Sequence, residues 1–123
     1  MRRAALLAFL LALPLFGCTA VSVVPSPPTG PHLAEEPALV PYPPPAARVE
    51  VVGSAPANMK DGVWIDGEWL WKARRWVWQG GHWDMPLPGG YYAPPVTVRL
   101  SDGALAHYAG AWKNGTKDGT KKE

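Results

Sequence analysis

Between residues 64 and 83 the chain alternates large aromatic residues with polar residues and glycines. Alternation with a period of two predicts β-strands, because successive side chains of a strand point to opposite faces of a sheet. The intervening runs are rich in Trp, Val and Ile, and the Asp66-Gly67 and Gly80-Gly81 pairs suit two-residue hairpin turns. The pattern predicts a four-stranded antiparallel meander with strands near 62–65, 68–72, 75–79 and 82–85, and with a weaker turn at 73–74.

Six of the seven tryptophans of the chain lie in this meander. Its register predicts one row of cross-strand pairs, Trp64 with Trp69, Trp69 with Trp78 and Trp78 with Trp83, and a second row that pairs Trp71 with Trp76. Each aromatic pair contributes roughly 0.2–1 kcal/mol. The six rings then share one face of roughly 1,000 Å², which exceeds the apolar patch that a monomer usually exposes. This face is therefore either covered by the rest of the chain or kept for a partner.

A second hairpin follows the tryptophan segment. Residues 96–100 are its first strand, Asp102-Gly103 is its turn, and residues 104–109 are its second strand. The expected register sets Val98 opposite His107 and Leu100 opposite Leu105. We therefore predict an all-β domain over residues 47–113, in which the small Trp-rich antiparallel meander and this hairpin form a mini-sandwich or an open barrel. Because a core of this size is marginal, the hairpin is expected to lie over the tryptophan face.

Residues 1–17 have the composition of a signal peptide. Two arginines precede an apolar run, residues 4–13, that is too short to span a bilayer. The segment ends at Leu15-Phe16-Gly17-Cys18, which resembles the lipobox of bacterial lipoproteins and contains the only cysteine of the chain. The resemblance implies that Cys18 becomes the mature N-terminus and carries acyl chains that anchor it in a membrane. An ordinary secretory signal with a buried cysteine is the alternative.

Residues 18–46, which begin with the lipidated cysteine, are expected to form a linker. Nine of the 21 positions from Pro25 to Pro45 are proline. This composition favours a disordered, extended spacer of the polyproline II type. At the other end of the chain, the Lys- and Gly-rich residues 114–123 are expected to be a disordered tail.

The tryptophan segment contains a repeat. Trp64, Gly67 and Trp69 match the pattern W-x-x-G-x-W, and Trp78, Gly81 and Trp83 match it again fourteen residues later. Residues 110–112 keep the G-x-W end of the pattern and read as a degenerate third copy. Together with the proline-rich lead and the lipobox, the repeats resemble the YXWGXW (WXXGXW) repeat proteins of bacterial envelopes, over roughly residues 43–112. The resemblance implies a small secreted or lipid-anchored envelope protein of unassigned activity, and it supplies no catalytic residues.

The titratable residues give little support to an enzyme. Glu68, His82 and Asp84 lie near one another on the polar face of the predicted sheet, and a general acid–base site or a metal site could use such a trio. No nucleophile motif or catalytic carboxylate pair accompanies them. We therefore expect no enzymatic activity, no metal and no cofactor, and we interpret His82 as a half-exposed strand residue.

The expected function is that of a lipid-anchored envelope protein with a structural or protein-interaction role. The membrane is the expected partner at Cys18, and the resemblance to bacterial lipoproteins implies, from Thr19 after the cysteine, sorting to the outer membrane, facing the periplasm. Envelope proteins or peptidoglycan are the other candidate partners. The alternative is binding of a glycan, either peptidoglycan or lipopolysaccharide, on an exposed platform made by Trp64, Trp69, Trp71, Trp76, Trp78 and Trp83. Self-association through an uncovered face is a further possibility.

The charge of the chain argues against nucleic acid as a partner. The net charge of +2 includes the two arginines of the signal peptide. Removal of the signal peptide leaves ten basic and ten acidic residues, so the mature chain is near neutral. Nucleic-acid binding depends largely on an excess of positive charge, and we do not expect it here.

Overall fold

The structure, a computed structural model, describes residue 17 and residues 23–115. In this part of the chain it contains strands and a single 3-10 turn at Ala57–Met59, so the predicted all-β class is confirmed. The predicted signal peptide, the lipidation site Cys18 and the end of the tail lie outside the described residues. The strands are β1 Ala38–Val40, β2 Val63–Ile65, β3 Glu68–Lys72, β4 Arg75–Gln79, β5 His82–Asp84, β6 Gly90–Ala93, β7 Val96–Arg99, β8 Leu105–Tyr108 and β9 Ala111–Asn114.

Residues 63–84, the Trp ribbon, form one long antiparallel hairpin. Strand β3 pairs with β4, and β2 pairs with β5 in the continuation of the same register. Trp64 therefore lies opposite Trp83 and Trp69 lies opposite Trp78. The short stretches 66–67 and 80–81 interrupt the strands at facing positions. The predicted meander is wrong in its connections, although its four strands are found within one residue of their predicted bounds.

The hairpin turns at Ala73-Arg74, which the sequence pattern ranked as its weakest turn. Both residues have positive φ, 49° and 63°, as a two-residue turn of type I′ requires. Within the described residues the glycines with positive φ are Gly89 and Gly103, so those at 67, 80 and 81 do not make turns. One turn at the tip lets ten residues of each arm face one another. The dipeptides Asp66-Gly67 and Gly80-Gly81, which favour turns, lie within the two arms instead.

The second hairpin is confirmed, but its register differs by one residue from the prediction. Val98 lies opposite Ala106, and His107 lies opposite Thr97. The loop has three residues, 101–103, because Leu100 donates its N–H to the carbonyl of Ala104 at 2.8 Å. A three-residue loop needs a left-handed residue in its last position, and Gly103 occupies it with φ 87°.

The proline-rich segment is part of the fold, and the predicted linker is wrong for residues 25–46. Strand β1 pairs with β8 and completes a three-stranded sheet in the order β1-β8-β7. Further upstream, the carbonyls of Pro25 and Pro28 accept hydrogen bonds of 2.9 and 2.8 Å from the backbone N–H groups of Trp64 and Tyr92. Proline has no backbone N–H donor but keeps its carbonyl acceptor. An unpaired strand edge presents free N–H groups, and these can donate to the proline carbonyls.

The core lies between the base of the Trp ribbon and the β6–β9 pair. Val63, Ile65 and Tyr92 are buried together, and Trp112 packs against them. Since Val63 and Ile65 face this core, Trp64 between them points to the other side of the ribbon. The sheet β1-β8-β7 adds the fully buried Ala106. The core is thus made of small patches between narrow sheets, and the described strands form several small antiparallel sheets with no closed barrel.

Candidate functional site

Each repeat glycine lies beneath an aromatic ring of the opposite strand. In the first copy, a Cβ at Gly67 would overlap the indole of Trp78, and Trp78 faces Trp69, the last residue of that copy. In the second copy, a Cβ at Gly81 would overlap the indole of Trp64. Glycine is therefore required for close approach of a ring and not for a turn.

The degenerate third copy follows the same geometry. Trp112 ends this copy and lies opposite Tyr92, with ring centroids 5.5 Å apart. A Cβ at Gly110 would overlap the hydroxyl end of Tyr92. The G-x-W part of the motif is thus a structural unit: the residue opposite the tryptophan is aromatic, and its side chain lies over the glycine.

The six tryptophans form three edge-to-face pairs along the Trp ribbon. Their centroid distances are 5.7 Å for Trp64–Trp83, 5.2 Å for Trp69–Trp78 and 5.1 Å for Trp71–Trp76. Such pairs contribute about 0.5–1.5 kcal/mol beyond the burial of area. The last two pairs are as predicted, whereas the first replaces the predicted pairs of Trp64 with Trp69 and of Trp78 with Trp83.

Residues 42–53, which we call the strap, run along the Trp ribbon from its tip to its base. At the tip, the ring of Tyr42 meets Trp71 edge-on at 5.5 Å. Three indole N–H groups then donate to backbone carbonyls of the strap: Trp76 to Tyr42 at 3.3 Å, Trp69 to Ala46 at 3.0 Å and Trp83 to Gly53 at 3.1 Å. The strap, rather than the second hairpin alone, covers the tryptophans.

The charged residues of the strap also face the Trp ribbon. The guanidinium carbon of Arg48 lies 4.9 Å from the ring centroid of Trp69 and 5.8 Å from that of Trp78, which is cation–π geometry. The carboxylate of Glu50 accepts the backbone N–H of Gly81 at 3.0 Å. The valines on either side of Glu50 point to solvent and are 100% and 95% exposed, so alternate residues of the strap contact the ribbon.

The second hairpin contacts the same tryptophans from another side. His107 on β8 meets Trp76 edge-on, with ring centroids 4.7 Å apart, and its Nδ1 lies 2.9 Å from Oγ1 of Thr97. His107 is buried and its Nε2 has no hydrogen-bond partner. Burial lowers the pKa of His107, and the backbone of Trp69 opposes this change, although no hydrogen bond of ordinary geometry reaches Nε2. The neutral ring is thus part of the packing.

The trio Glu68, His82 and Asp84 is engaged in structural contacts. Glu68 is 8% exposed, and its carboxylate accepts the N–H of Gly110 at 3.0 Å. Burial raises the pKa of Glu68, and the hydrogen bond from Gly110 opposes this rise. Asp84 accepts the indole N–H of Trp112 at 2.9 Å, while His82 is half-exposed and 4.0 Å from Asp84. Among the described residues no group of three or more potential ligands is arranged to hold a metal.

A clasp at the N-terminal segment was missed by the sequence pattern. Nδ1 of His32 lies 2.7 Å from Glu35, and its Nε2 lies 2.7 Å from the carbonyl of Pro94. Glu35 also binds Nζ of Lys113 at 2.7 Å. The hydrogen bond from Lys113, followed by that from His32, lowers the pKa of Glu35. The signal was the three-residue spacing of His32 and Glu35, which is unremarkable by itself.

Comparisons with protein families, with curated proteins and with solved structures found no match to this chain. The resemblance to the YXWGXW repeat proteins therefore rests on the motif and stays a prediction. In the part of the chain that the structure describes, no helix has the length and apolar character needed to cross a membrane.

Proposed function

We propose that the protein is a lipid-anchored component of the bacterial cell envelope, facing the periplasm from the outer membrane, with a structural or protein-interaction role. The proposed anchor rests on the lipobox-like motif that ends at Cys18, and the observation that carries the structural role is the use of the indole groups. Three indole N–H groups of the Trp ribbon donate to the strap, and that of Trp64 donates to Asp66 at 3.0 Å. The tryptophans thus hold the chain's own segments together.

A glycan platform is the alternative, and the same contacts count against it. Stacking on sugar rings needs open aromatic faces, and specificity needs free polar groups beside them. Most ribbon rings are paired with one another and also contact the strap or β8, so that they are only partly exposed. Trp64 lines a cleft together with the polar residues Ser26, Thr29 and Asp66. An aromatic ring and polar groups lie side by side there, so this cleft is where the alternative function would be located.

The proposed anchor would hold the domain close to the membrane. Cys18 precedes Pro25 by seven residues, and Pro25 already belongs to the fold through its hydrogen bond to Trp64. Seven extended residues span at most about 25 Å. The proline-rich segment therefore does not act as a long spacer, and contacts with partners are expected near the membrane surface.

The anchor is tested by fractionation. The unaltered chain, expressed in a Gram-negative bacterium, is expected in the outer-membrane fraction, with an acylated N-terminal cysteine by mass spectrometry. The Cys18→Ser variant is expected to be found away from that fraction. Equal membrane association of both chains would reject the lipid anchor.

The role of the tryptophans is tested by emission and quenching on the mature chain with Cys18→Ser. Blue-shifted emission that acrylamide quenches poorly is expected, with the chain unfolded in guanidinium as the fully exposed reference. Peptidoglycan fragments should leave the spectrum unchanged. Red-shifted, readily quenched emission from a folded monomer, together with saturable binding of the fragments, would favour the glycan platform instead.

A further inference from the structure

The first part of the strap has the composition of a polyproline II segment. Residues 43–45 are prolines, whose rings fix φ near −65°, and a residue that precedes proline is restricted to extended backbone. All peptide bonds in the described part of the chain are trans. The three prolines that follow the bend at residues 41–42 thus favour extended backbone before they meet any partner, and their free hydrogen-bonding groups are carbonyls.

The Trp ribbon offers what such a segment requires. Aromatic grooves bind proline-rich peptides by packing the prolines on ring faces, while donors on the groove bind the peptide carbonyls. Here Pro44 and Pro45 line a groove with Trp69 and Trp78. The indole N–H groups of Trp76 and Trp69 reach carbonyls four residues apart along the strap. This surface is built like a proline-recognition site.

Two charged residues after the prolines fix the direction of the bound segment. Arg48 lies over the ring pair Trp69–Trp78, and Glu50 binds the N–H of Gly81 at the next position along the ribbon. A segment bound in the reverse direction would place neither charge at its partner. The contacts of the strap therefore follow one direction along the ribbon, from the prolines to Arg48 and then to Glu50.

We propose that the Trp ribbon is a recognition site for extended proline-rich segments, occupied within one chain by its own strap and, between chains, by the strap of a second copy. The strap of a second copy offers the same contacts residue for residue, so exchange loses none of them and costs mainly the entropy of association. Residues 25–53 precede the ribbon and are covalently linked to it by residues 54–62, so the strap would exchange together with β1 and with the contact of Pro25 to Trp64. The inference rests on the proposed interaction role, and the proposed lipid anchor would concentrate copies in one plane.

The recognition site is tested with a strap-weakened variant of the mature chain. Pro43→Gly, Pro44→Gly, Pro45→Gly and Arg48→Ala are combined, with Cys18→Ser as the background. The probe is the capped peptide of residues 41–50. It should shift the indole N–H signals of the ribbon tryptophans in NMR spectra and should bind at least tenfold more tightly than a control peptide with glycine at the three proline positions. The chain with an intact strap should bind the probe far more weakly, because its own strap has a local concentration of about millimolar.

The second copy as occupant is tested by sedimentation of the intact-strap chain. A dimer that forms with rising concentration and dissociates when the strap peptide is added is expected. A chain that stays monomeric up to millimolar concentration, while the weakened variant binds the peptide, would overturn the second copy as occupant. A folded variant whose indole signals ignore millimolar peptide would overturn the recognition site itself.

A further variant guards against misfolding of the multiple substitution. Arg48→Ala alone keeps the prolines and removes one contact, so it should bind the peptide at least threefold more tightly than the intact-strap chain does. Equal binding of the peptide to both would contradict the proposal. The proposed function fails separately, through glycan binding or loss of membrane association, and neither result changes the peptide titration.

Discussion

Gly81→Ala should destabilise the protein, whereas Gly80→Ala next to it should not. A Cβ at Gly81 would overlap the indole of Trp64 and lie 2.9 Å from the carbonyl oxygen of Ile65. A Cβ at Gly80 would meet only Oε2 of Glu50 at 3.3 Å, the end of a flexible side chain. Neither glycine has positive φ, so the two variants differ in steric overlap and not in backbone strain.

The expected magnitude follows from two terms. Overpacking typically costs about 1–3 kcal/mol, and this term applies to residue 81 alone. Replacement of glycine by alanine also restricts the unfolded chain, which stabilises the protein by about 0.4–1 kcal/mol, and this term applies to both variants. The difference between the variants therefore isolates the overlap, and we expect it to be about 1–3 kcal/mol with Gly81→Ala the less stable.

The assay is thermal and urea unfolding of both variants beside the unaltered chain, followed by tryptophan fluorescence. For a domain of this size, one kcal/mol corresponds to about 4–8 °C in Tm, so the variants should melt at least about 4 °C apart. Near-ultraviolet circular dichroism of Gly81→Ala should also lose intensity from the Trp64–Trp83 pair. Equal midpoints for the two variants would refute the idea that ring approach explains the repeat glycines.

Three further predictions concern protonation. Burial raises the pKa of Glu68 above its ordinary 4.5, so the native state binds a proton more readily and the protein loses stability as pH rises through the raised pKa. Glu68→Gln keeps an acceptor for Gly110, and this variant should be at least as stable as the unaltered chain at pH 7. It should lose this advantage below pH 4.5. Burial raises the pKa of Tyr92 to about 12, so one tyrosine should ionise near pH 12 in an absorbance titration, and stability should decline between pH 10 and 12. The pKa of Glu35 is lowered chiefly by Lys113, so this contact stabilises the protein above pH 4.5 and the stabilisation is lost on acidification. Lys113→Ala should therefore destabilise the protein above pH 4.5 and make its stability depend less on pH in the acidic range. The effect should be less than about 1 kcal/mol because the pair is partly exposed.

The strands of the ribbon could be predicted from the sequence, but their connections could not. Asp66-Gly67 and Gly80-Gly81 are favourable turn dipeptides, and Ala73-Arg74 is a poor one. Local propensity therefore ranked the turns in the wrong order. A glycine that admits a ring and a glycine that makes a turn are identical in sequence, and only the pairing of distant strands distinguishes them.

The proline-rich segment could not be assigned correctly for a related reason. Its composition is that of a free spacer, and its contacts are long-range: Pro25 with Trp64, Pro28 with Tyr92, and β1 with β8. Carbonyl acceptors on an extended chain leave no periodic signal along the sequence. The same holds for the clasp, in which His32 contacts Pro94 and Glu35 contacts Lys113, each partner more than sixty residues away.

The repeat itself becomes intelligible once the two copies are placed antiparallel. In W-x-x-G-x-W the first tryptophan of each copy faces the last tryptophan of the other, and the glycine two residues before the last tryptophan then lies diagonally under the facing ring. Two copies are thus self-complementary, whereas one copy alone supplies neither its facing ring nor its cover. The third copy has lost its first tryptophan without losing its geometry, because β6 supplies Tyr92 as the facing ring. The motif therefore encodes a way of pairing two strands closely.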